Sequence, residues 1–421
     1  MSTGAAGSLS ATLDSASRDI RRILAGVLDG HELSVDDGIA LTGAAGRDLH
    51  AITLVADEMR RRQVGDVVTY VVNRNINFTN VCIKHCGFCA FSRDHREEEG
   101  YLLPVDEVVR RAREAWELGA TEVCIQAGLP PKLDGHYYID LTRAIKRALP
   151  GIHMHAFSPE EVLYGSVRSG LPIKEYLAEL KAAGLGTLPG TSAEILDQEI
   201  RDRISRGRIT VDQWVEVVTT AHTLGIRTTS TIMYGHVETP AHWIRHMSLL
   251  RAIQKDTGGF TEFVPLSLIH SEAPMYAKGL VDGVRPGATG VEVVKMHALA
   301  RLMLGATLRN IQSSWVKEGP KLAQLLLDAG ANDLGGTLIN ESISTAAGAQ
   351  YGQLVGPAEL RRLVRDAGRI PAQRDTLYAI VRTYRDGDDP ESPLDRIADA
   401  EARFGSYRRL IASGEFRYTR R

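Results

Sequence analysis

From residue 67 onward the chain alternates short apolar runs with amphipathic segments, and that alternation limits the fold more than any other feature of its 421 residues. Runs that read as strands occupy 67–77, 122–127, 152–157, 185–189, 227–233, 261–267, 310–313 and 333–337. Helical patterns separate them at 104–118, 138–149, 173–183, 211–224, 241–256, 290–304 and 319–329. Eight strands with intervening helices over about 300 residues predict an α/β fold, a (β/α)8 barrel of the TIM type. In such barrels the loops after the strands carry the active site. Polar residues collect at those strand ends: Asn80, Gln126, His155, Glu194, Tyr234, His236, His270, Gln312 and Asn340.

The flanks read differently. Residues 1–17 are rich in Ser, Ala and Gly and read as a disordered leader. Residues 18–66 read as an N-terminal helical cap, 67–370 as the barrel, and 371–421 as a C-terminal helical extension with an Asp/Pro-rich break and a basic end. Hydrophobic residues make up 43% and charged residues 24%, which excludes wholesale disorder. The formal net charge is −2, so the chain has no overall positive charge for nucleic acid. No apolar run approaches the ~20 residues that span a bilayer, and no basic stretch precedes an apolar one as in a secretory signal. The expected location is cytoplasmic, with neither nucleic acid nor membrane as a partner.

Cysteine is rare, at four residues, yet three of them fall on one short loop. Cys82, Cys86 and Cys89 form a C-x3-C-x2-C pattern. Three thiolates so placed can hold three irons of a 4Fe-4S cubane and leave the fourth iron open to another molecule. A structural zinc wants four closed ligands. His85 or His95 could supply the fourth, but no second cysteine pair exists. Cys124 reads as an inert buried thiol.

The spacing, with Phe88 just before the last cysteine, resembles the radical S-adenosylmethionine (SAM) superfamily. The resemblance extends through Asn73-Arg-Asn-Ile-Asn-Phe-Thr-Asn-Val-Cys, Ile125-Gln-Ala-Gly, His153-Met-His-Ala-Phe-Ser-Pro-Glu-Glu, Leu188-Pro-Gly-Thr-Ser-Ala-Glu, Thr231-Ile-Met-Tyr-Gly-His-Val-Glu and Gly335-Gly-Thr-Leu-Ile-Asn-Glu-Ser-Ile-Ser. Together these look like the CofH family, the tyrosine-handling half of FO synthase, which makes the deazaflavin chromophore. They are also similar to the C-terminal half of the fused enzyme FbiC. The resemblance covers about residues 20–385. Aminofutalosine synthase (MqnE) and the CofG half of FO synthase are near relatives of the same pattern.

The resemblance implies a 4Fe-4S cluster on Cys82, Cys86 and Cys89 that binds SAM at its open iron. One electron from an external reductant then gives a 5′-deoxyadenosyl radical. It implies SAM contacts from Phe88, Gln126, Gly128, Ser192, Glu194, Arg208, Gly235 and Glu238. A guanidinium at Arg208 suits the SAM carboxylate, to which it offers a planar fork. The blander readings are turns that need Gly128 and Gly235, and an exposed first-turn acid at Glu194. The implied substrates are L-tyrosine and 5-amino-6-(D-ribitylamino)uracil, with a CofG-type partner closing the ring afterwards. The radical takes a hydrogen from the tyrosine amino group, the Cα–Cβ bond breaks, and a 4-hydroxybenzyl radical adds to carbon 5 of the pyrimidine. The remaining imino acid hydrolyses to glyoxylate and ammonia. Candidate substrate contacts are His155, Tyr234, His236, His270 and Gln312; no acid–base catalytic residue stands out. The alternatives are an aminofutalosine-synthase-like addition to an enolpyruvyl benzoate and a non-catalytic iron–sulfur protein.

Overall fold

The apolar runs become a ring of parallel strands. The computed structural model describes residues 3–385 and 389–419. Strands β1 (Val67–Val71), β2 (Asn73–Ile76), β3 (Glu122–Ile125), β4 (His153–Ala156), β5 (Thr187–Leu188), β6 (Arg227–Tyr234), β7 (Phe260–Ser267) and β8 (Asp333–Gly336) follow the chain. β2 to β7 pair side by side in that order. Closure comes from parallel bridges, Phe263 to Ile311 and Gln312 to Asp333, and from the pairing of β8 with β1. The result is a (β/α) barrel. Residues 310–313 fill its seventh position through single bridges instead of a full strand. The stretch 67–77, read as one strand, changes neighbours at Val72. Below that point β1 lies beside β8, and above it β2 pairs with β3, with Arg74 bridged to Ile339.

Helices Val105–Glu117, Tyr137–Ala148, Ile173–Ala183, Val211–Thr223, Pro240–Thr257, Gly290–Leu304 and Trp315–Leu325 surround the ring. Val105–Glu117 shows why they form: Val108, Ala112 and Ala115 recur on one buried face. Two helices escape that pattern. Pro159–Ser169 buries polar residues, Glu160 and Glu161, in its first turn, which blurs the apolar stripe. Gln198–Ile204 has two turns, too few for a period to show.

The flanks correct two expectations. Residues Thr3–Ser15 are helical, not a disordered leader, and Leu9 and Leu13 pack against the core. Met1 and Ser2 lie outside the described residues. Arg18–Leu28, Val35–Thr42 and Arg47–Val64 are the helices of the stretch read as a cap.

The tail is not a purely helical extension either. Strand β9 (Ile370–Arg374) straddles the expected boundary at 370 and pairs in parallel with β1, and β10 (Ile380–Thr383) returns antiparallel to β9. All four residues of β10 are exposed, so no apolar alternation announced it. The turn between these strands plugs the N-terminal end of the ring. Arg374 bonds Asp333 at 2.6 Å, Thr376 donates to Glu122 at 2.7 Å, and Tyr378 donates to Glu262 at 2.6 Å. The chain then crosses to the other end of the barrel. There Tyr407 donates to the Phe91 carbonyl at 3.0 Å and Leu102 bonds Phe416 at 2.9 Å, bracing the flank of the cysteine loop. Among the described residues no helix is long and apolar enough to cross a membrane.

Candidate active site

A cleft opens at the C-terminal ends of the strands, with an empty space of about 1260 Å³ counted out to its mouth. Its walls take in residues from the loops after β2, β3, β4, β5, β7 and β8 and from the segment after residues 310–313. The cysteine loop leaves β2 and is clamped on both sides: the Gly87 N–H bonds Ile204 at 2.8 Å, and the Gly87 carbonyl accepts from Met275 at 2.7 Å. Cys82, Cys86 and Cys89 all line the cleft. Burial raises the Cys82 thiol and pushes Cys86 up to about 12. Thiols this reluctant to ionise need a cationic partner to become thiolates. Three of them on one loop facing one cleft fit a cubane's three ligated irons.

Gln126-Ala-Gly follows β3 and lies against the start of that loop. Gly128 is needed for close approach: a β-carbon there would meet the Val81 carbonyl oxygen at 2.3 Å. Gln126 accepts from Thr191 at 2.8 Å, and Ala127 donates to Glu161 at 3.0 Å. Glu161 also closes a capping box with Ser158, whose hydroxyl is 2.7 Å away. Burial pushes the Glu161 carboxyl up to about 7, against the pull of Ser158, Ala127 and Arg208.

The loop after β5 is strained. Ser192 and Glu194 both have left-handed backbones, at φ 65° and 41°. Such conformations cost about 1–3 kcal/mol each and persist where surroundings over-determine them. Here two arginines do so. Buried Arg201 donates to the carbonyls of Ser192 (3.0 Å), Ala193 (2.6 Å) and Ile209 (3.1 Å). Arg208 pairs with Glu194, donates to the Ser192 hydroxyl at 2.7 Å, and comes within 3.5 Å of Glu160. Its guanidinium also lies 5.4 Å from the centre of the Phe88 ring. Burial opposes the Arg208 charge, but Glu194, Cys86 and Glu160 outweigh it and raise its pKa. Lys84, on the cysteine loop, lies 3.4 Å from the same Glu160.

The structure therefore gathers Cys82, Cys86, Phe88, Cys89, Gln126, Gly128, Ser192, Glu194 and Arg208 around one space. The other expected residues are not among those lining it. Gly235 is a turn glycine at φ 88°, and Glu238 spends its oxygens on the N–H groups of Gly235 (2.6 Å), His236 (2.8 Å) and Trp243 (3.0 Å). Tyr234 points outward onto Trp243, because Thr231 and Met233 take the inward positions of β6. His236 is buried against Glu238 at 3.2 Å. His155 bonds Thr187 at 2.7 Å, with the Glu122 charge nearby. His270 packs edge-on to Tyr276, and Gln312 lies against Gly335 inside the ring. Cys124 stays off the cleft, its thiol pushed up to about 12 by burial.

The sequence reading passed over Lys84, Glu160, Glu161 and Lys317, which do line the cleft. For the two glutamates the Ser-Pro-Glu-Glu start of a helix was the available signal.

Residues 76–250 match the family described as the Radical SAM superfamily, and residues 257–386 match the CofH/MqnC C-terminal region. With three cysteines after the first ring position, these matches define a radical SAM enzyme. A 5-amino-6-(D-ribitylamino)uracil–L-tyrosine 4-hydroxyphenyl transferase from Methanothermobacter thermautotrophicus is 50% identical over 85% of this chain and 96% of its own length. A protein of the same name from Methanopyrus kandleri is 50% identical over 83% and 94%. FO synthase from Mycobacterium leprae is 50% identical over 82% of this chain, which spans 40% of that longer protein. The chain belongs to the CofH family of radical SAM enzymes.

Solved structures agree on the fold. Methylornithine synthase superposes with a TM-score of 0.62 at 19% identity, covering 83% of this chain and 97% of that one. The hydrogenase maturase HydG from Carboxydothermus hydrogenoformans gives 0.65 at 17%, covering 90% and 86%.

Proposed function

We propose that this chain is the tyrosine-using transferase of deazaflavin synthesis, joining the 4-hydroxybenzyl part of L-tyrosine to carbon 5 of 5-amino-6-(D-ribitylamino)uracil. The observation that carries the reading is one cleft shared by the three cysteine thiols and the strained Ser192–Glu194 loop, in a chain 50% identical to transferases of that name. When bound, a 4Fe-4S cluster on Cys82, Cys86 and Cys89, together with SAM and an external one-electron donor, supplies a 5′-deoxyadenosyl radical.

The chain's own residues position and exclude. Arg208, pre-oriented by Glu194, Glu160 and Ser192, faces the cleft with a fork suited to the SAM carboxylate. Gln126 and the backbone of Ala127 and Gly128 form the wall beside the cysteine loop, a place for the SAM amino group. Leu266, Leu268, Ile269 and Ile343 line the cleft with apolar surface that keeps water from a reactive intermediate. A CofG-type partner, as a separate chain or the other half of a fusion, takes the product onward.

The test is product mass. Anaerobically reconstituted protein given SAM, a reductant, tyrosine and the ribitylaminouracil should yield the tyrosine-derived adduct, 5′-deoxyadenosine and glyoxylate. Phenylalanine should substitute poorly, since it lacks the phenol oxygen that delocalises the benzyl radical. Covalent attachment of an enolpyruvyl benzoate to the adenosyl group, with no adduct from tyrosine, would overturn the reading.

A further inference from the structure

The cleft holds three cations, and two of them are held in place by protein partners. Arg208 is engaged by Glu194, Ser192 and Glu160, and Lys84 by Glu160 and the Gly207 carbonyl. The third is Lys317, in the first turn of helix Trp315–Leu325. Among the described residues no carboxylate comes within the 4.0 Å of an ion pair, and no hydrogen bond from its ammonium is formed. Its nearest charges are Glu341 and Glu318. Neither pairs with it: Glu341 accepts the backbone N–H groups of Ser344 and Thr345, and Glu318 lies toward Ser267 with its Oε1 unpartnered.

A half-buried lysine whose ammonium faces a cavity without a partner is costly, because desolvation disfavours the charged form. Burial indeed lowers the Lys317 pKa. Structure alone gives this side chain no reason to remain; an anion arriving in the cleft does. The position selects which anion. Arg208 follows the fourth ring position and touches the cysteine-loop side chain Phe88, whereas Lys317 follows the seventh, three positions round the ring. A carboxylate beside the cysteines therefore meets Arg208, and a second carboxylate further round meets Lys317.

We infer that Lys317 is the anchor for the α-carboxylate of the amino-acid substrate. The inference deepens the proposed function and rests on it. Tyrosine then enters with its carboxylate pinned, so that the adjacent amino group and the bond to be broken are held at a fixed distance from that anchor. Lysine suits the task as a compact point charge on a flexible stem.

The experiment measures binding to anaerobically reconstituted protein, independent of turnover. The affinities of L-tyrosine, of tyramine (which lacks the carboxylate) and of SAM are compared for the natural chain, Lys317→Met, Lys317→Gln and Lys317→Arg. Iron content reports whether each variant has folded around its cluster, and the two neutral variants guard against loss of one. The natural chain should prefer tyrosine over tyramine by roughly ten- to a hundred-fold, as expected for loss of one charge-assisted bond. The neutral variants should erase that preference by losing tyrosine affinity, with SAM affinity unchanged, while Lys317→Arg keeps most of it. Weakened SAM with unchanged tyrosine would move Lys317 to the SAM carboxylate and overturn the inference. Parallel loss of tyrosine and tyramine would reduce it to packing, and an unchanged preference would refute it. If the natural chain binds no tyrosine at all, the proposed function itself fails, an outcome distinct from each of these.

Discussion

Gly128 and Val81 are in backbone contact: the Val81 carbonyl oxygen lies where a β-carbon of residue 128 would stand, 2.3 Å from it. The wall after β3 and the start of the cysteine loop are thus built as one unit. Gly128→Ala should force them apart, at a cost of about 1–3 kcal/mol for overpacking. The expected outcome is lower iron incorporation and weaker SAM binding in purified protein. Normal iron content would show that the loop yields without losing its geometry.

The three cysteines of the loop should be separable from the fourth. Replacing Cys82, Cys86 or Cys89 by Ala should abolish the cluster and SAM cleavage, whereas Cys124→Ala should leave about four irons per chain, as for a cubane. Equal damage from Cys124→Ala would mean a four-cysteine site. Its position off the cleft speaks for the first outcome.

Arg208 and Glu194 should behave as a coupled pair. Removing either leaves its partner's charge buried, at about 3–5 kcal/mol, so each Ala variant should lose stability as well as SAM affinity. The double variant should lose less than the sum of the singles. Additive losses in a double-mutant cycle measured by denaturation would show that the two charges do not depend on each other.

Acid should weaken the fold. Burial lowers His155, His222 and His297 to about 4 and His246 to about 3, from about 6.5 in an unfolded chain. Between those values the unfolded state binds more protons, so stability is present above pH 6.5 and is lost as pH falls toward 4. Each histidine contributes on the order of 1 kcal/mol per pH unit in that window. Glu161 and Glu262, each pushed up to about 7 chiefly by burial, act in the opposite sense, as do Glu318 and Asp328, but burial also lowers His153 and His236, so the histidines outnumber them. The denaturant midpoint should fall steadily from pH 7 to pH 5. A rising midpoint would show that the buried carboxyls dominate.

The barrel was legible because its strands and helices bury regular apolar faces, and the cysteine loop because three cysteines at fixed spacing have few other uses. The wall of the cleft was legible where a residue's position after a strand coincided with an inward direction, as for Gln126 and Glu194. Where it did not, the residue lies off the cleft lining. Tyr234 sits at a strand end like Gln126, yet one step of strand alternation turns it outward onto Trp243. His155 was read as reaching the site but bonds Thr187 within the ring. Lys317 was missed because its helix begins at Trp315, four residues earlier than the apolar pattern suggests, before a kink at Gly319. The β9–β10 hairpin was missed because exposed strands need no apolar alternation.

The floor of the barrel has a consequence for how the molecule is made. β1, translated early, acquires its neighbours β8 and β9 only when residues 333–336 and 370–374 have left the ribosome. The arc from β2 to β7 can assemble on the nascent chain, since each of its strands pairs with the next in order. The seal cannot. Synthesis runs at about 5–20 residues per second, so the roughly hundred residues between β7 and β9 leave the half-built barrel open at its base for several seconds. During that interval the loop bearing Cys82, Cys86 and Cys89 already exists, while its brace at Tyr407 has yet to be translated.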